Sequence, residues 1–273
     1  MNALGILGTG LIGSSIGLRA RRAGIYVLGC DADAQAAAGS LALGSLDEIV
    51  SPEVLYSRSA TIVIALPLEA TCSELHKLRL RPNGCELIVD VASVKAPVAM
   101  AAAGVENFVA THPLAGSEGS GPASARADLF EGRSWAYVPS GNPALDSRAQ
   151  SFIRQLGGVP VGIDADEHDA IVGRTSHLPQ LVATLIAGRI RSAGELAERL
   201  CGPAGLEVLR LGSSSCALWS EILAANAGPV TAEARRLAAS LQSICDALDR
   251  KDPDPLRRAF ADAERRVDGP TGP

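Results

Sequence analysis

Apolar runs too short for helices recur through the first 163 residues, and segments of helical periodicity separate them. A first strand beginning at Ala3 leads into a helix that ends near Gly24. Further strands are predicted at Tyr26–Cys30, Thr61–Ala65, Glu86–Asp90 and Asn107–Ala110, with helices at 34–43, 68–80, 93–103 and 143–156. This alternation indicates a parallel, doubly wound sheet. We expect Ser134–Val138 and Val159–Ile163 to extend the same sheet.

Beyond Asp164 the strand pattern stops, and helical periodicity continues with Gly, Pro and Ser interruptions. Asp164 suits the N-cap of a long helix, which Pro179 is expected to kink. Later helices are predicted at Ala193–Cys201, Pro203–Leu211, Ala217–Ala227, Thr231–Asp249 and Pro255–Val267, before a disordered tail at Asp268–Pro273. The pattern divides the chain into an α/β domain over residues 1–163 and an all-α domain over residues 164–273.

Several of the late helices carry apolar residues on more than one face. In the longest one these residues are Leu237, Leu241, Ile244 and Leu248. A helix of this kind usually buries one face in its own domain and another in a partner subunit. We therefore expect a homodimer formed through the helical domain.

A glycine-rich turn joins the first strand to the first helix. Gly8 can adopt the positive φ that the turn needs, Gly10 lets backbone N–H groups approach a pyrophosphate, and Gly13 lets the helix pack close to the strand. Asp31 ends the next apolar run, where such folds carry the acid that binds a ribose 2′-hydroxyl. The predicted cofactor-binding residues are Gly8, Thr9, Gly10, Leu11, Ile12, Gly13 and Asp31. We expect a Rossmann-type dinucleotide-binding domain; the alternative is a glycine-rich turn without a ligand.

The identity of the acid at the end of the second strand bears on the choice of dinucleotide. A carboxylate at Asp31 pairs with a free ribose 2′-hydroxyl but repels a 2′-phosphate. The following Ala32 and Asp33 offer no arginine to bind such a phosphate. The predicted cofactor is therefore NAD rather than NADP.

Composition narrows the class of partner. A net charge of -5 and 3% aromatic residues argue against a nucleic-acid surface, so the expected partner is a small molecule. No apolar stretch reaches membrane-spanning length, and the chain begins directly with a strand, which predicts a cytoplasmic protein without a membrane partner. The six cysteines are scattered without a C-x-x-C pair, so neither a metal site nor a disulfide is assigned.

Two polar segments follow neighbouring strands, at the sheet edge where such folds bind their ligands. They are Asp90–Lys95 and Thr111–Gly121. His112 lies between an apolar strand and a proline, so we expect a rigid imidazole aimed at the cofactor cleft that takes a proton during hydride transfer. With an unperturbed pKa of about 6.5, it should make kcat/KM fall below roughly that pH. The alternative is a histidine that satisfies loop backbone groups.

These blocks resemble a known family over nearly the whole chain. The glycine turn, Asp90-Val-Ala-Ser93-Val-Lys95, Thr111-His112-Pro113-Leu-Ala-Gly-Ser-Glu118, Ser176-His177-Leu-Pro179, and Arg210 with Trp219 are together similar to the prephenate/arogenate dehydrogenases of tyrosine biosynthesis. The resemblance implies a Rossmann domain, an all-α C-terminal dimerisation domain and the oxidative decarboxylation of a cyclohexadienol to a phenol.

The resemblance also implies residue roles. His112 accepts the hydrogen bond of the substrate 4-hydroxyl, Ser93 supports it, and Arg210 binds a substrate carboxylate. Glu118 belongs to the polar network lining the cleft, and Ser176 and Trp219 match pocket positions. Two alternatives stay open: Trp219 as ordinary helix packing, and Lys95 as a solvated residue of a first helical turn.

One position departs from the family pattern and leaves the substrate open. Many members carry a second histidine where this chain has Gln180, whose amide can bind the side-chain end of the substrate but cannot titrate. Prephenate is preferred and arogenate is the alternative. A 3-hydroxyacid-type dehydrogenase is disfavoured because no lysine, its catalytic group, lies between Lys95 and Lys251. A nucleotide-sensing module without turnover is disfavoured because Ser93, His112 and Arg210 lie in three separate segments.

Overall fold

A six-stranded parallel sheet forms the first domain of the computed structural model, which describes residues 3–80, 84–116 and 119–264. Its strands are β1 Ala3–Leu7, β2 Val27–Cys30, β3 Glu48–Ile49, β4 Ser59–Ile64, β5 Leu87–Asp90 and β6 Phe108–Val109. They lie in the order β3-β2-β1-β4-β5-β6, and Gly5 of β1 pairs with Leu28 on one side and Ile62 on the other. Because the strand order reverses between β1 and β4, a crevice opens there at the carboxyl edge.

Helices cover both faces of this sheet, as the predicted doubly wound fold requires. They are α1 Leu11–Arg22, α2 Ala34–Ala42, α3 Pro52–Arg58, α4 Leu68–Leu78, α5 Ala96–Ala101 and α6 Pro143–Gln155. Val63 belongs to one core cluster with Ile6, whereas its neighbours Ile62 and Ile64 belong to a second cluster on the other face. The continuous β-branched run in β4 is explained by this burial on both sides.

The last strands do not extend the six-stranded sheet, so that prediction was wrong. Strands β7 Thr111–Pro113, β8 Ser134–Tyr137 and β9 Val159–Gly162 form a separate sheet in the order β7-β8-β9. The chain turns at Ala110, whose carbonyl accepts from Val138 N at 2.9 Å, and β7 then pairs antiparallel with β8. The segment from Thr111, predicted as a loop, therefore begins with a strand.

One helix and two short elements of the first domain differ from the sequence prediction. The helix expected at 93–103 is confined to α5, and β3 and α3 were not predicted. Strand β3 has only two residues, too few to show an alternating pattern, and α3 begins with Pro52 after the cap Ser51.

The second domain is helical, as predicted. Its helices are α7 Ala165–Val172, α8 Leu178–Ser192, α9 Glu195–Arg199, α10 Pro203–Leu211, α11 Cys216–Ala225, α12 Ala227–Asp249 and α13 Asp254–Glu264. Asp164 caps α7 through Asp166 N at 2.9 Å, which confirms its predicted role. The irregularity expected at Pro179 is instead a π-helical turn at Gly173–His177, and Pro179 lies in the first turn of α8, where a missing N–H costs little.

The predicted tail and the last residues of the final predicted helix fall at 265–273, outside the described residues. Within the part of the chain that the structure describes, no helix combines the length and the apolar character needed to cross a membrane.

Carboxylates of the helical domain cap two helices of the first domain. Neither α4 nor α5 has a side-chain cap of its own at its N-terminus. Glu221 Oε1 accepts from Glu69 N at 2.9 Å at the start of α4. Asp169 accepts from Lys95 N at 2.7 Å and Ala96 N at 2.8 Å at the start of α5. The domain junction therefore lies directly on the carboxyl edge of the sheet.

Candidate active site

The glycine-rich turn contains two glycines that the fold requires and one that faces open space. Gly8 has φ 96°, and a Cβ there would lie 2.3 Å from the Ala65 carbonyl oxygen. A Cβ on Gly13 would lie 2.0 Å from the Gly8 oxygen. A Cβ on Gly10 would meet no atom within 4 Å, and no side chain caps α1, which begins at the next residue. The uncapped N–H groups of α1 suit an anion such as a pyrophosphate.

Asp31 lies beside this turn at the carboxyl end of β2. Its Oδ2 accepts from Thr9 N at 2.6 Å and from Thr9 Oγ1 at 3.0 Å, and its Oδ1 accepts from Asp33 N at 2.9 Å. These bonds hold an acceptor-only group at the edge of the turn. The predicted residues Gly8 to Gly13 and Asp31 are thus brought together, and their donors and acceptors fit the pyrophosphate and ribose of a dinucleotide.

His112 lies at the head of a short chain of hydrogen-bonded side chains that crosses the domain junction. His112 Nδ1 is 3.0 Å from His168 Nε2, and His168 Nδ1 is 2.8 Å from Asp169 Oδ1. A carboxylate only accepts, so His168 carries its proton on Nδ1 and presents a bare Nε2. Nδ1 of His112 must then donate, which leaves Nε2 of the neutral His112 ring as a proton acceptor.

The electrostatics agree with these proton positions. Burial raises the pKa of Asp169, but hydrogen bonds from His168 and from the N–H groups of Lys95 and Ala96 outweigh it and lower the pKa. Burial lowers the pKa of His112 well below its ordinary 6.5, and the nearby Lys95, His168 and His177 lower it further. Asp169 is therefore ionised and His112 neutral near pH 7.

A fully buried ion pair lies beneath the strand that carries His112. Lys95 Nζ donates to Asp90 Oδ2 at 2.5 Å and to the Thr111 carbonyl at 2.6 Å. Lys95 and Asp90 are both inaccessible to solvent, so the alternative of a solvated Lys95 was wrong. Ser93, in the loop between them, is half-buried, and its hydroxyl has no hydrogen-bond partner among the residues that the structure describes.

The helical domain contributes a second buried histidine. Asn226 Nδ2 donates to His177 Nδ1 at 2.9 Å and to the Asp169 carbonyl at 2.8 Å. Burial lowers the pKa of His177 to about 4, although Asp169 opposes this. Trp219 packs edge-on against the His177 ring, with centroids 6.0 Å apart, and Ser176 directly precedes this histidine. Trp219 is thereby connected, through His177 and Asn226, to the network that ends at His112, whereas Ser176 is brought near it only by its position in the chain.

The remaining predicted residues lie around α10 or outside the described chain. Gln180 Nε2 donates to the Leu211 carbonyl at 2.8 Å, so its amide hydrogens join α8 to the end of α10. Arg210, on the last turn of α10, is exposed and ion-paired with Glu207, its Nε lying 2.8 Å from Oε2. Glu118 lies outside the described residues. The roles of these three residues toward a substrate stay predictions.

Sequence reasoning missed His168, Asp169 and Asn226. One signal could have found the first two: an adjacent histidine and aspartate on the first helix after the last strand. A carboxylate beside an imidazole is the common way to fix its tautomer. Asn226 carries no such signal because it lies between two helices and its partners are distant in sequence.

The chain matches two family models and several known proteins. Residues 16–161 match "Prephenate dehydrogenase, nucleotide-binding domain", and residues 164–262 match "Prephenate dehydrogenase, dimerization domain". A relative from Streptomyces niveus, "Probable prephenate dehydrogenase NovF", is 34% identical, covering 98% of this chain and 72% of the relative. The prephenate dehydrogenase of Bacillus subtilis is 30% identical, covering 97% of this chain and 75% of that protein.

A solved structure shows the same fold. It is prephenate dehydrogenase from A. aeolicus in complex with hydroxyphenyl propionate and NAD+, with a TM-score of 0.88 at 21% identity, covering 97% of this chain and 96% of that one. The first family model begins at Ile16, after the glycine turn, so the interpretation of that turn rests on its geometry. Two domain models that follow one another along the chain, and a relative of 34% identity, place the chain in the prephenate dehydrogenase family.

Proposed function

We propose that the chain catalyses the NAD-dependent oxidative decarboxylation of prephenate to 4-hydroxyphenylpyruvate. The observation that carries the proposal is the proton acceptor Nε2 of His112, fixed by His168 and Asp169 at the edge of a sheet with an open glycine turn. A fixed, neutral imidazole beside a dinucleotide site suits the removal of a hydroxyl proton as hydride leaves the same carbon.

The cofactor would be held by the residues of the glycine turn. The N–H groups at the start of α1 would bind the pyrophosphate, and Gly10 leaves room for its approach. Asp31, already oriented by Thr9, would accept from the ribose 2′-hydroxyl. When bound, NAD supplies the hydride acceptor of the reaction.

His112 performs the proton transfer. The substrate 4-hydroxyl becomes a carbonyl as hydride leaves its carbon, and its proton passes to Nε2 of His112. His168 and Asp169 keep that nitrogen unprotonated beforehand and stabilise the charged ring afterwards. Loss of the ring carboxylate as CO₂ supplies the electrons that make the ring aromatic, so the histidine does not have to supply a large driving force.

Other residues would orient the substrate. The hydroxyl of Ser93, which has no partner within the described part of the chain, would bind the same substrate oxygen as His112. Arg210 would exchange Glu207 for a substrate carboxylate, for which its planar fork is suited. Ser176, Trp219, Gln180 and Glu118 are proposed to line the pocket.

Prephenate is proposed over arogenate for two reasons. The relatives from Streptomyces niveus and Bacillus subtilis both carry the name prephenate dehydrogenase. Gln180 is neutral, so it offers no negative charge to the ammonium that distinguishes arogenate from the keto acid.

We also propose a homodimer formed through the helical domain. The matching family model is described as a dimerization domain. Large apolar side chains of this domain are exposed in the single chain, among them Leu185, Leu206, Leu241, Leu248 and Phe260. A surface of this kind usually marks an interface. Light scattering at micromolar concentration should give twice the mass of one chain, and the mass of one chain would contradict the proposal.

A single absorbance assay at the NADH band tests the activity. The purified chain is given prephenate or arogenate, each with NAD and with NADP. The proposal expects the highest kcat/KM for prephenate with NAD. A preference for arogenate would overturn the substrate, and no turnover with either would overturn the reaction. His112→Asn is the control for background reduction, because asparagine cannot take the proton.

A further inference from the structure

The most deeply buried cation of the described chain is not used by the mechanism above. Lys95 has no solvent-accessible surface. This is unusual, because loops at the ligand-binding edge of a sheet are normally exposed to solvent. Burying an ammonium is expensive unless it is paired and hydrogen-bonded. Its two acceptors, the Asp90 carboxylate and the Thr111 carbonyl, meet that requirement.

Those acceptors hold the residue that precedes His112. Thr111 N donates to Asp90 Oδ1 at 2.8 Å, and Thr111 Oγ1 donates to the Asp90 carbonyl at 2.5 Å. Trp135 Nε1 donates to the same hydroxyl at 3.0 Å. Lys95 completes this set by binding the Thr111 carbonyl, so every polar group of Thr111 is engaged. The start of β7, and with it the His112 ring, is therefore fixed relative to β5.

The backbone of Lys95 is engaged as well. Its N–H donates to Asp169, the carboxylate that orients His168. Lys95 therefore contacts both ends of the hydrogen-bonded series from His112 to Asp169. Its ammonium binds the strand that carries His112, and its backbone N–H binds the Asp169 carboxylate.

The positive charge of Lys95 lowers the pKa of His112. The charged and titratable groups around His112 are Lys95 and Asp90 from the sheet edge, and His168, Asp169 and His177 from the helical domain. After burial, the positive charge of Lys95 is the largest contribution lowering the pKa of His112. A cation nearby disfavours a second positive charge on the imidazole.

We propose that Lys95 is a positioning residue of the oxidation, which holds β7 in place so that His112 Nε2 meets the substrate proton, and whose positive charge adds to the burial that disfavours protonation of that ring. The catalytic part of this inference rests on the proposed function. The positioning of β7 and the effect of the Lys95 charge on His112 can be measured separately. A residue that only packs against the strand would fix β7 but would leave the pKa of His112 unchanged.

Three variants test the inference. Lys95→Met removes the charge and keeps much of the side-chain volume, but it leaves Asp90 buried without its partner. Asp90→Asn/Lys95→Met removes both charges, and such paired replacements often preserve stability. Lys77→Met is the matched control, since Lys77 is a surface lysine on α4 paired with Glu74. Circular dichroism and thermal melting establish which variants are folded.

The kinetic arm measures kcat and KM for prephenate across pH. We expect kcat to fall about 10²-fold in the folded Lys95 variants, because a displaced base loses its alignment. The KM for prephenate should change far less, and Lys77→Met should match the wild type. The acid limb of kcat/KM should move to higher pH, since the removal of a positive charge makes His112 easier to protonate. An unchanged kcat in a folded Lys95 variant would overturn the proposal.

A second arm needs no substrate. The chain has four histidines, so isotope-labelled histidine gives a small set of ring signals that substitutions can assign to His112. Its pKa should rise in both Lys95 variants, and more in Lys95→Met, where the Asp90 charge remains. A fall in kcat without a change in this pKa would overturn the proposal, since it would leave Lys95 with packing alone. A wild type that does not oxidise prephenate would refute the proposed function, and the NMR comparison would still decide whether the charge of Lys95 disfavours protonation of His112.

Discussion

Nε2 of His168 lies 3.0 Å from Nδ1 of His112, and this contact determines which nitrogen of His112 carries the proton. His168 can only accept there, because its other nitrogen donates to Asp169. The acceptor nitrogen of His112 is thus set by a residue of the other domain. A histidine that looks self-sufficient in the sequence depends on a partner 56 positions away.

His168→Phe should lower kcat by about 10²-fold, the lower range of what a general base contributes. Phenylalanine fills the buried space but cannot accept from His112, so the reactive tautomer is no longer favoured. Steady-state assays with saturating prephenate and NAD measure the effect. His76→Phe, at an exposed position on α4, is the matched control. A normal kcat in His168→Phe would show that the tautomer is fixed by another group.

The acid limb of kcat/KM should have its midpoint below pH 6.5, because the pKa of His112 is lowered well below its ordinary value of 6.5. As pH falls, the ring becomes protonated and loses its acceptor, so activity is lost only below that lowered pKa. The sequence alone predicted a midpoint near the ordinary value. A pH profile over the acid range measures it, and His112→Asn should flatten the limb. A midpoint at or above pH 6.5 would show that burial and the nearby charges do not lower the pKa of the group that controls activity.

Gly10→Ala and Gly13→Ala should separate binding from folding. A methyl group at position 10 meets no atom within 4 Å, so the melting temperature should stay near wild type while the Kd for NAD rises. A rise of about tenfold or more is expected, since the backbone must approach the pyrophosphate closely. A methyl group at position 13 would collide with the Gly8 carbonyl, so Gly13→Ala should lose about 1–3 kcal/mol of stability. Equal Kd values for wild type and Gly10→Ala would place the pyrophosphate elsewhere.

Asp31→Ser/Ala32→Arg should move the cofactor preference toward NADP. The double variant removes the carboxylate that repels a 2′-phosphate and adds a guanidinium that binds one. The ratio of kcat/KM for the two cofactors measures the change, with Asp33→Ser as a control for the loss of a nearby charge. Wild-type enzyme that uses NADP as well as NAD would contradict the assigned role of Asp31.

Arg210→Ala should raise the KM for prephenate strongly, with a loss of about 2–5 kcal/mol, as for a desolvated charge pair that loses one member. Glu207→Gln is the matched control, because it removes one ion-pair partner of Arg210 and leaves the arginine in place. That variant should keep or lower the KM, since the guanidinium no longer has to leave the Glu207 carboxylate. An unchanged KM in Arg210→Ala would make the pair with Glu207 a surface contact only.

Local sequence patterns were enough to predict many of the strands and helices. The buried run of β4 and the cap Asp164 were visible because their physical causes lie within a few residues. Strands β8 and β9 were found as strands, but their assignment to the large sheet failed, because a strand pattern does not show which neighbour the strand pairs with. The boundary of α5 shifted because its cap, Asp169, comes from the other domain.

The candidate site divides in the same way. His112 and the glycine turn were found because each lies at the end of an apolar run. His168 and Asp169 were missed because their importance arises from contacts across the domain junction. Lys95 could not be judged from sequence, because a first-turn lysine is usually exposed and its contacts with Thr111 and Asp169 arise only in the folded chain. The domain boundary at residues 163 and 164 and the pocket residues remain predictions.

The Asp169 carboxylate holds groups of both domains, and this determines what a separation of the domains would break. The same carboxylate caps α5 of one domain and orients His168 of the other. If the domains part, the cap and the proton arrangement of the two imidazoles are lost in one event. A separation of the domains would therefore weaken the proton acceptor and uncap α5 together, so full reactivity requires the two domains to be joined.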